Sequence, residues 1–123
     1  MIISEEAKRG YTYFSWGYKG SCIKVEYPFS AYAAYDEKNN KIVVFKSEES
    51  LCLVLDPDGT LSKKFFLLIP TNCRFYNFTK SIVGDFGFTV ILGHQPNYKG
   101  ELFWQHILDI DKEILSGPEA IWR

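Results

Sequence analysis

Apolar and polar side chains alternate with a period of two along much of this chain, the spacing of half-buried β-strands. In Cys22-Ile23-Lys24-Val25-Glu26-Tyr27, the side chains of Ile23, Val25 and Tyr27 fall on one face and Lys24 and Glu26 on the other. Pro28 stops the run. Tyr11 to Trp16 precedes it as a β-branched and aromatic strand closed by Gly17 and Gly20. Ala31 to Tyr35 and Ile42 to Phe45 flank a polar turn through Asp36, Asn39 and Asn40, which predicts a hairpin. Leu51 to Leu55 then runs into Asp56-Pro57-Asp58-Gly59. In that turn Pro57 presets φ, Gly59 accepts a positive φ, and the aspartates bond local backbone amides. Leu61 to Ile69 is the expected return strand.

The second half repeats this plan. Phe75 to Phe78, Phe86 to Leu92 and Leu102 to Leu108 read as strands, and a loop from Gly93 to Gly100, with Pro96 and Asn97, separates the last two. Ser4 to Gly10 is expected as a short helix or an arm, and Ile110 to Leu115 as a helical turn or a further strand. Gly117-Pro118 breaks the pattern before Ala120-Ile121-Trp122, where Trp122 anchors the end of the pattern. The prediction is an all-β fold of about eight antiparallel strands in meanders, arranged as two blade-like units or a curved sandwich, with up to two short terminal helices.

One phrase occurs twice. Val54-Leu55-Asp56-Pro57-Asp58-Gly59-Thr60-Leu61 returns as Ile107-Leu108-Asp109-Ile110-Asp111-Lys112-Glu113-Ile114, with both aspartates at the same offset of 53 residues. A repeat of this period points to stacked or radially arranged β units. Residues 51–61 and 104–114 are therefore expected to be equivalent strand–turn units. Ala33-Ala34-Tyr35-Asp36 through Asn40 to Phe45, followed by Leu53-Val54-Leu55-Asp56-Pro57-Asp58-Gly59, resembles one blade of a β-propeller. The resemblance covers residues 31–69 and, more loosely, 83–115. It implies four-stranded meanders, and two of them are too few to close a ring of four to eight blades.

Composition narrows the field of functions. At 123 residues and 14.2 kDa the chain is expected to be a single domain, 1–123, large enough to bury roughly two-thirds of its unfolded surface. Fourteen basic and fifteen acidic side chains leave a net charge of −1, which argues against direct affinity for nucleic acid. The first residues hold no apolar stretch of signal-peptide length, and the apolar run from Phe65 to Pro70 is too short to cross a bilayer. A cytoplasmic chain with Cys22, Cys52 and Cys73 as reduced thiols is the expectation.

No residue pattern announces chemistry. His94, in the expected loop, and His106, within a strand, are the two histidines. Acid–base work by the pair needs a geometry the sequence does not fix, so they read first as a loop and a strand-face histidine. The pairs Asp56/Asp58 and Asp109/Asp111 lack the further oxygen ligands and the glutamate of a calcium loop, and read as turn formers. No glycine-rich phosphate loop or nucleophile elbow is present, so no catalytic residue, metal or cofactor is assigned. What remains is contact. Stacked repeats would bring Asp56, Asp58, Asp109 and Asp111 to one rim, with Tyr98 and Trp104 as aromatic contacts, a surface suited to a basic protein partner. In size and composition the chain is similar to small bacterial immunity proteins, which cap a cognate toxin, often a basic nuclease. The expected function is thus non-enzymatic protein binding. The alternatives are a small enzyme or ligand binder using the His94/His106 region, and a structural subunit that oligomerises through its blades.

Overall fold

Ile42-Val43-Val44-Phe45 is apolar without alternation, the signature of a strand covered on both faces. In the computed structural model, which describes residues 1–123, these four side chains are fully buried at the centre of a three-sheet stack. The first sheet comprises β1 (Ser4–Lys8), β2 (Tyr11–Tyr18) and β3 (Ser21–Tyr27). The second comprises β4 (Tyr32–Asp36), β5 (Lys41–Lys46), β6 (Leu51–Leu55) and β7 (Leu61–Phe66). The third comprises β8 (Cys73–Lys80), β9 (Phe88–Tyr98), β10 (Glu101–Asp109) and β11 (Ile114–Ile121). Each sheet is an antiparallel meander.

Alternation along β5 divides the core into two layers. Ile42 and Val44 pack with Phe14 and Trp16 of the first sheet and with Leu55. Val43 and Phe45 join Phe78, Phe88, Val90, Leu92 and Leu108 of the third sheet. Aromatic rings bind the second layer: Phe45 lies 4.3 Å from Phe75, which meets Phe78 edge-on at 5.3 Å. Where the second and third sheets approach at their first strands, Glu37 N–H donates to the carbonyl of Phe86 at 2.8 Å. Gly87 beside it takes φ of +83°, and a Cβ there would lie 2.4 Å from the Cδ of the exposed, movable Glu37 side chain.

The all-β prediction is met by eleven strands rather than eight, three sheets rather than two units, and no α-helix; the one helical turn is the 3-10 turn Ser47–Glu49. Ser4 to Lys8 is a strand because Arg9 and Gly10 turn the chain back on itself, with φ of 53° and 82°. Positive φ at both central residues makes the two-residue turn that matches strand twist, and Lys19-Gly20 and Lys99-Gly100 do the same. Five residues are too few to hold a helix alone, whereas pairing from Ser4 with Ser15 to Lys8 with Tyr11 gives their backbone partners. Ile110 to Glu113 forms a turn, and β11 runs on through Gly117-Pro118. The two copies of the repeated phrase occupy equivalent places: each is the third strand of a four-stranded meander, its turn, and the start of the fourth strand.

Candidate functional site

The β6–β7 and β10–β11 turns emerge at the same end of the stack. Lys63, two residues into β7 from its start, pairs with Glu113 of the β10–β11 turn at 3.3 Å. Trp16 Nε1 of the first sheet donates to the carbonyl of Pro57 at 2.7 Å and ties the β6–β7 turn to the opposite layer. Within the turns the aspartates do structural work. The half-buried Asp56 pairs with Lys41, and its backbone closes the turn with Gly59 and Thr60 at 2.8 Å each. Asp58 Oδ1 accepts from Thr60 N–H at 2.9 Å, which holds its carboxyl below the usual aspartate range. Asp109 Oδ1 accepts from the amides of Asp111 and Lys112 at 3.0 and 3.1 Å. Asp58 and Asp111 face solvent. Beside them stand Leu61 and Ile114, equivalent positions of the repeat, exposed by 50% and 55%.

Tyr98 and Trp104 belong to the other end of the third sheet. Trp104 is buried, and its Nε1 donates to the carbonyls of Tyr98 and Glu101, both at 3.1 Å, so the indole braces the β9–β10 hairpin. Tyr98 is 40% exposed beside it. The six residues thus form two groups, the four aspartates at the turn end and Tyr98 with Trp104 at the other. Of the other acids near the turns, Glu37 is exposed between β4 and β5, at the same end of the second sheet as Asp56. Asp36 is fully buried, accepting from the backbone and side-chain amides of Asn39, and Glu48-Glu49 lie in the 3-10 turn at the opposite end of the second sheet.

Comparison with protein-family models, with curated proteins and with solved structures finds no match to this chain. Function therefore rests on geometry, and the most organised polar geometry lies at the Tyr98 end.

There the two histidines meet. His94 Nε2 and His106 Nε2 are 2.9 Å apart, and the rings are tilted by only 15° with centroids 5.1 Å apart. That centroid separation is the N···N distance plus two ring radii, so the imidazoles meet head-on rather than face to face. His106 Nδ1 lies 2.8 Å from the carbonyl of Ser116, and His94 Nδ1 lies 3.5 Å from Cys73 Sγ. Burial holds both imidazoles below the ordinary histidine range; for His106 the neighbouring His94 adds to it, against the Ser116 carbonyl and Glu119. Burial pushes the Cys73 thiol up. Each of these shifts favours the neutral form of its group.

Neutrality and one carbonyl fix every proton in the chain of groups. A carbonyl only accepts, so His106 Nδ1 carries hydrogen and its Nε2 is a lone pair. His94 must then donate through Nε2–H, which leaves its Nδ1 as a lone pair facing the Cys73 thiol. The direction runs Cys73 S–H to His94, His94 N–H to His106, His106 N–H to Ser116. Asn72 Oδ1, 3.6 Å from the sulfur, is a second acceptor for the thiol.

Three irregularities in the third sheet build this arrangement, one of them the shift between Phe75 and Asn77 of β8 that sets Cys73 opposite His94. The Lys99-Gly100 turn pairs Glu101 with Tyr98, and an unshifted ladder would put His94 and His106 on opposite faces. Instead Phe103 pairs with Gly93, a shift of three residues that accommodates His94 to Asn97 and brings both histidines to one face. On the other side β11 bulges at Ser116-Gly117: Leu108 pairs with Leu115 while His106 pairs with Pro118. Freed from the ladder, the Ser116 carbonyl turns to His106, and its Oγ takes the Ile107 N–H at 2.7 Å. The expected loop is thus the bulged part of β9. Its Gly, Pro and Asn residues signalled irregularity correctly, but not that pairing resumes through Tyr98.

Proposed function

We propose that this chain is a protein-binding domain that docks a basic partner through its acidic turn end, in the manner of a small cytoplasmic immunity or inhibitor protein that neutralises a nuclease toxin. The observation that carries this reading is the placement of Leu61 and Ile114. Two aliphatic side chains about half exposed, at equivalent positions of a repeat and each three residues from an exposed aspartate, Asp58 or Asp111, lie at the end where Lys63 pairs with Glu113 and are the apolar centre of the proposed surface. Apolar centres of this kind supply binding energy, while bordering charges speed encounter and select among partners. Asp56 and Asp109 keep the turns in shape, which presents the border with little conformational entropy left to lose. The three free thiols suit a reducing compartment.

The test is affinity purification from the native host with wild type, with a charge-reversed form (Asp58→Lys, Asp111→Lys) and with an apolar-centre form (Leu61→Ser, Ile114→Ser). One stoichiometric basic protein should appear with wild type. The charge-reversed form should associate more slowly, with a shallower salt dependence, and the apolar-centre form should dissociate faster. Retention of that partner by both forms with unchanged rates refutes docking at this end.

A further inference from the structure

The third sheet carries a second site, independent of the docking reading. We propose that Cys73, His94 and His106 form a nucleophilic thiol site, in which His94 is the base that takes the thiol proton and His106 is the positioning residue that holds His94 in the required tautomer. Three observations carry the proposal. The groups come from three strands, β8, β9 and β10, and meet with hydrogen-bond geometry because β8, β9 and β11 each depart from regular pairing. The proton direction ends on a carbonyl, so the lone pair of His94 has one place to point, the Cys73 sulfur. No buried side-chain polar atom in the chain is left without a partner, so the relay is complete without further groups. A nucleophile, a base and a group that orients the base, each within contact of the next, is the general form of an activated nucleophile.

The surroundings define the substrate class. Cys73 is 8% exposed at the start of edge strand β8, behind the exposed loop residues Thr71 and Asn72, so a reagent that reaches the sulfur must be small. The facing groups are Asn72, the Tyr98 ring 5.9 Å from His94, and the exposed Glu119 of β11 toward His106; Lys99 is drawn over the outer Tyr98 ring at 5.4 Å. With no cation at the sulfur, the site suits a small, uncharged carbon electrophile. Burial opposes a preformed thiolate–imidazolium pair, so the proton moves as the sulfur attacks. With iodoacetamide as the probe, the S–C bond forms, the C–I bond breaks, iodide leaves with the bonding electrons, and the thiol proton passes to His94 Nδ1.

The chain contains its own controls. Cys22 is exposed with no histidine partner, and Cys52 is fully buried with its thiol pushed up to about 12. The experiment is iodoacetamide labelling of the native chain between pH 6.5 and 8.5, with each cysteine followed by peptide mass. An unassisted thiol of ordinary pKa, about 8.5, loses roughly 50-fold in rate over that fall in pH. Cys52 should stay unlabelled, and Cys73 should change by less than about 3-fold. His94→Gln should restore the steep dependence to Cys73, and His106→Phe should lower its rate while mixing the His94 tautomers read by imidazole 15N shifts. Should a variant fail to fold, the wild-type profile and its tautomers decide. Protection of Cys73 equal to that of Cys52, a 50-fold slope at Cys73, or His94 protonated at Nδ1 would each overturn the proposal.

Discussion

Replacing Phe45 or Val44 by alanine tests the three-sheet stack directly, because the two neighbours face different layers of the core. Phe45 is fully buried against Phe75 and Phe78, and the second layer that it joins is built from fifteen buried residues. A buried phenylalanine cut to alanine loses transfer energy and leaves a cavity, together about 3–5 kcal/mol. Val44 faces the smaller layer of six buried residues with Phe14 and Trp16. Losing two methyl groups there costs about 1.6 kcal/mol in transfer alone, and about 2–3 kcal/mol with the cavity. Total stability for a chain of this size is about 5–15 kcal/mol, so Phe45→Ala removes a third or more of a typical value. In urea, with a slope of about 1–3 kcal/mol per molar, the midpoint should fall by more than about 1 M. Native-state hydrogen exchange then separates the layers. Phe45→Ala should raise exchange in β8 to β10, and Val44→Ala in β2 and β3. Equal effects of both variants on the first and third sheets, or a loss below 1 kcal/mol for Phe45→Ala, would refute a middle sheet covered on both faces.

Trp16→Phe should cost about 1–2 kcal/mol in urea unfolding, because it strands the partly buried Pro57 carbonyl that Nε1 now serves at 2.7 Å; amide exchange at Gly59 should quicken with it. Gly87→Ala should cost about 1–2 kcal/mol, chiefly from a non-glycine residue at φ of +83°, since the exposed Glu37 side chain that meets the new methyl has room to move. Stability should be whole above pH 6.5, the ordinary histidine value, and decline as pH falls toward 5. In that window the unfolded chain takes up protons that the folded His94 and His106 refuse, giving a slope of at most about 2.7 kcal/mol per pH unit for two protons. Thermal unfolding of His94→Gln/His106→Gln should lack that decline, and an unchanged slope would show that other groups set it.

Strands with their own apolar signal were legible: β2 to β6 and β10 fall within a residue or two of their expected bounds, as does the equivalence of the two repeated turns. What escaped was written in backbone geometry rather than in hydrophobicity. Ser-Glu-Glu-Ala-Lys carries no apolar face, and its five residues are exposed throughout, so the Arg9-Gly10 turn alone marks β1. The meeting of His94 with His106 depends on an odd register shift, and parity reverses with each residue of slip. Cys73 enters from β8, 21 residues away from its partner, which local pattern does not connect. The aspartates gave the opposite lesson. Their turn chemistry was plain from Pro57 and Gly59, whereas Trp104, expected as a contact residue, is held inside by two carbonyls of its own hairpin.

The bulge at Ser116-Gly117 also has a consequence for how copies of this chain behave in concentrated solution. β11 is the outer strand of its sheet, and an outer strand offers unpaired amides and carbonyls to any strand that approaches. Pro118 removes one donor from that edge, the displaced pairing around it breaks the even spacing a newcomer needs, and Ser116 Oγ already donates to the carbonyl of Gly117 at 2.7 Å. The break that supplies His106 with its acceptor therefore blunts the edge against edge-to-edge growth. Straightening it, by deleting Gly117 and replacing Pro118 with valine, would put regular strand backbone at the border of the third sheet and make the chain self-associate.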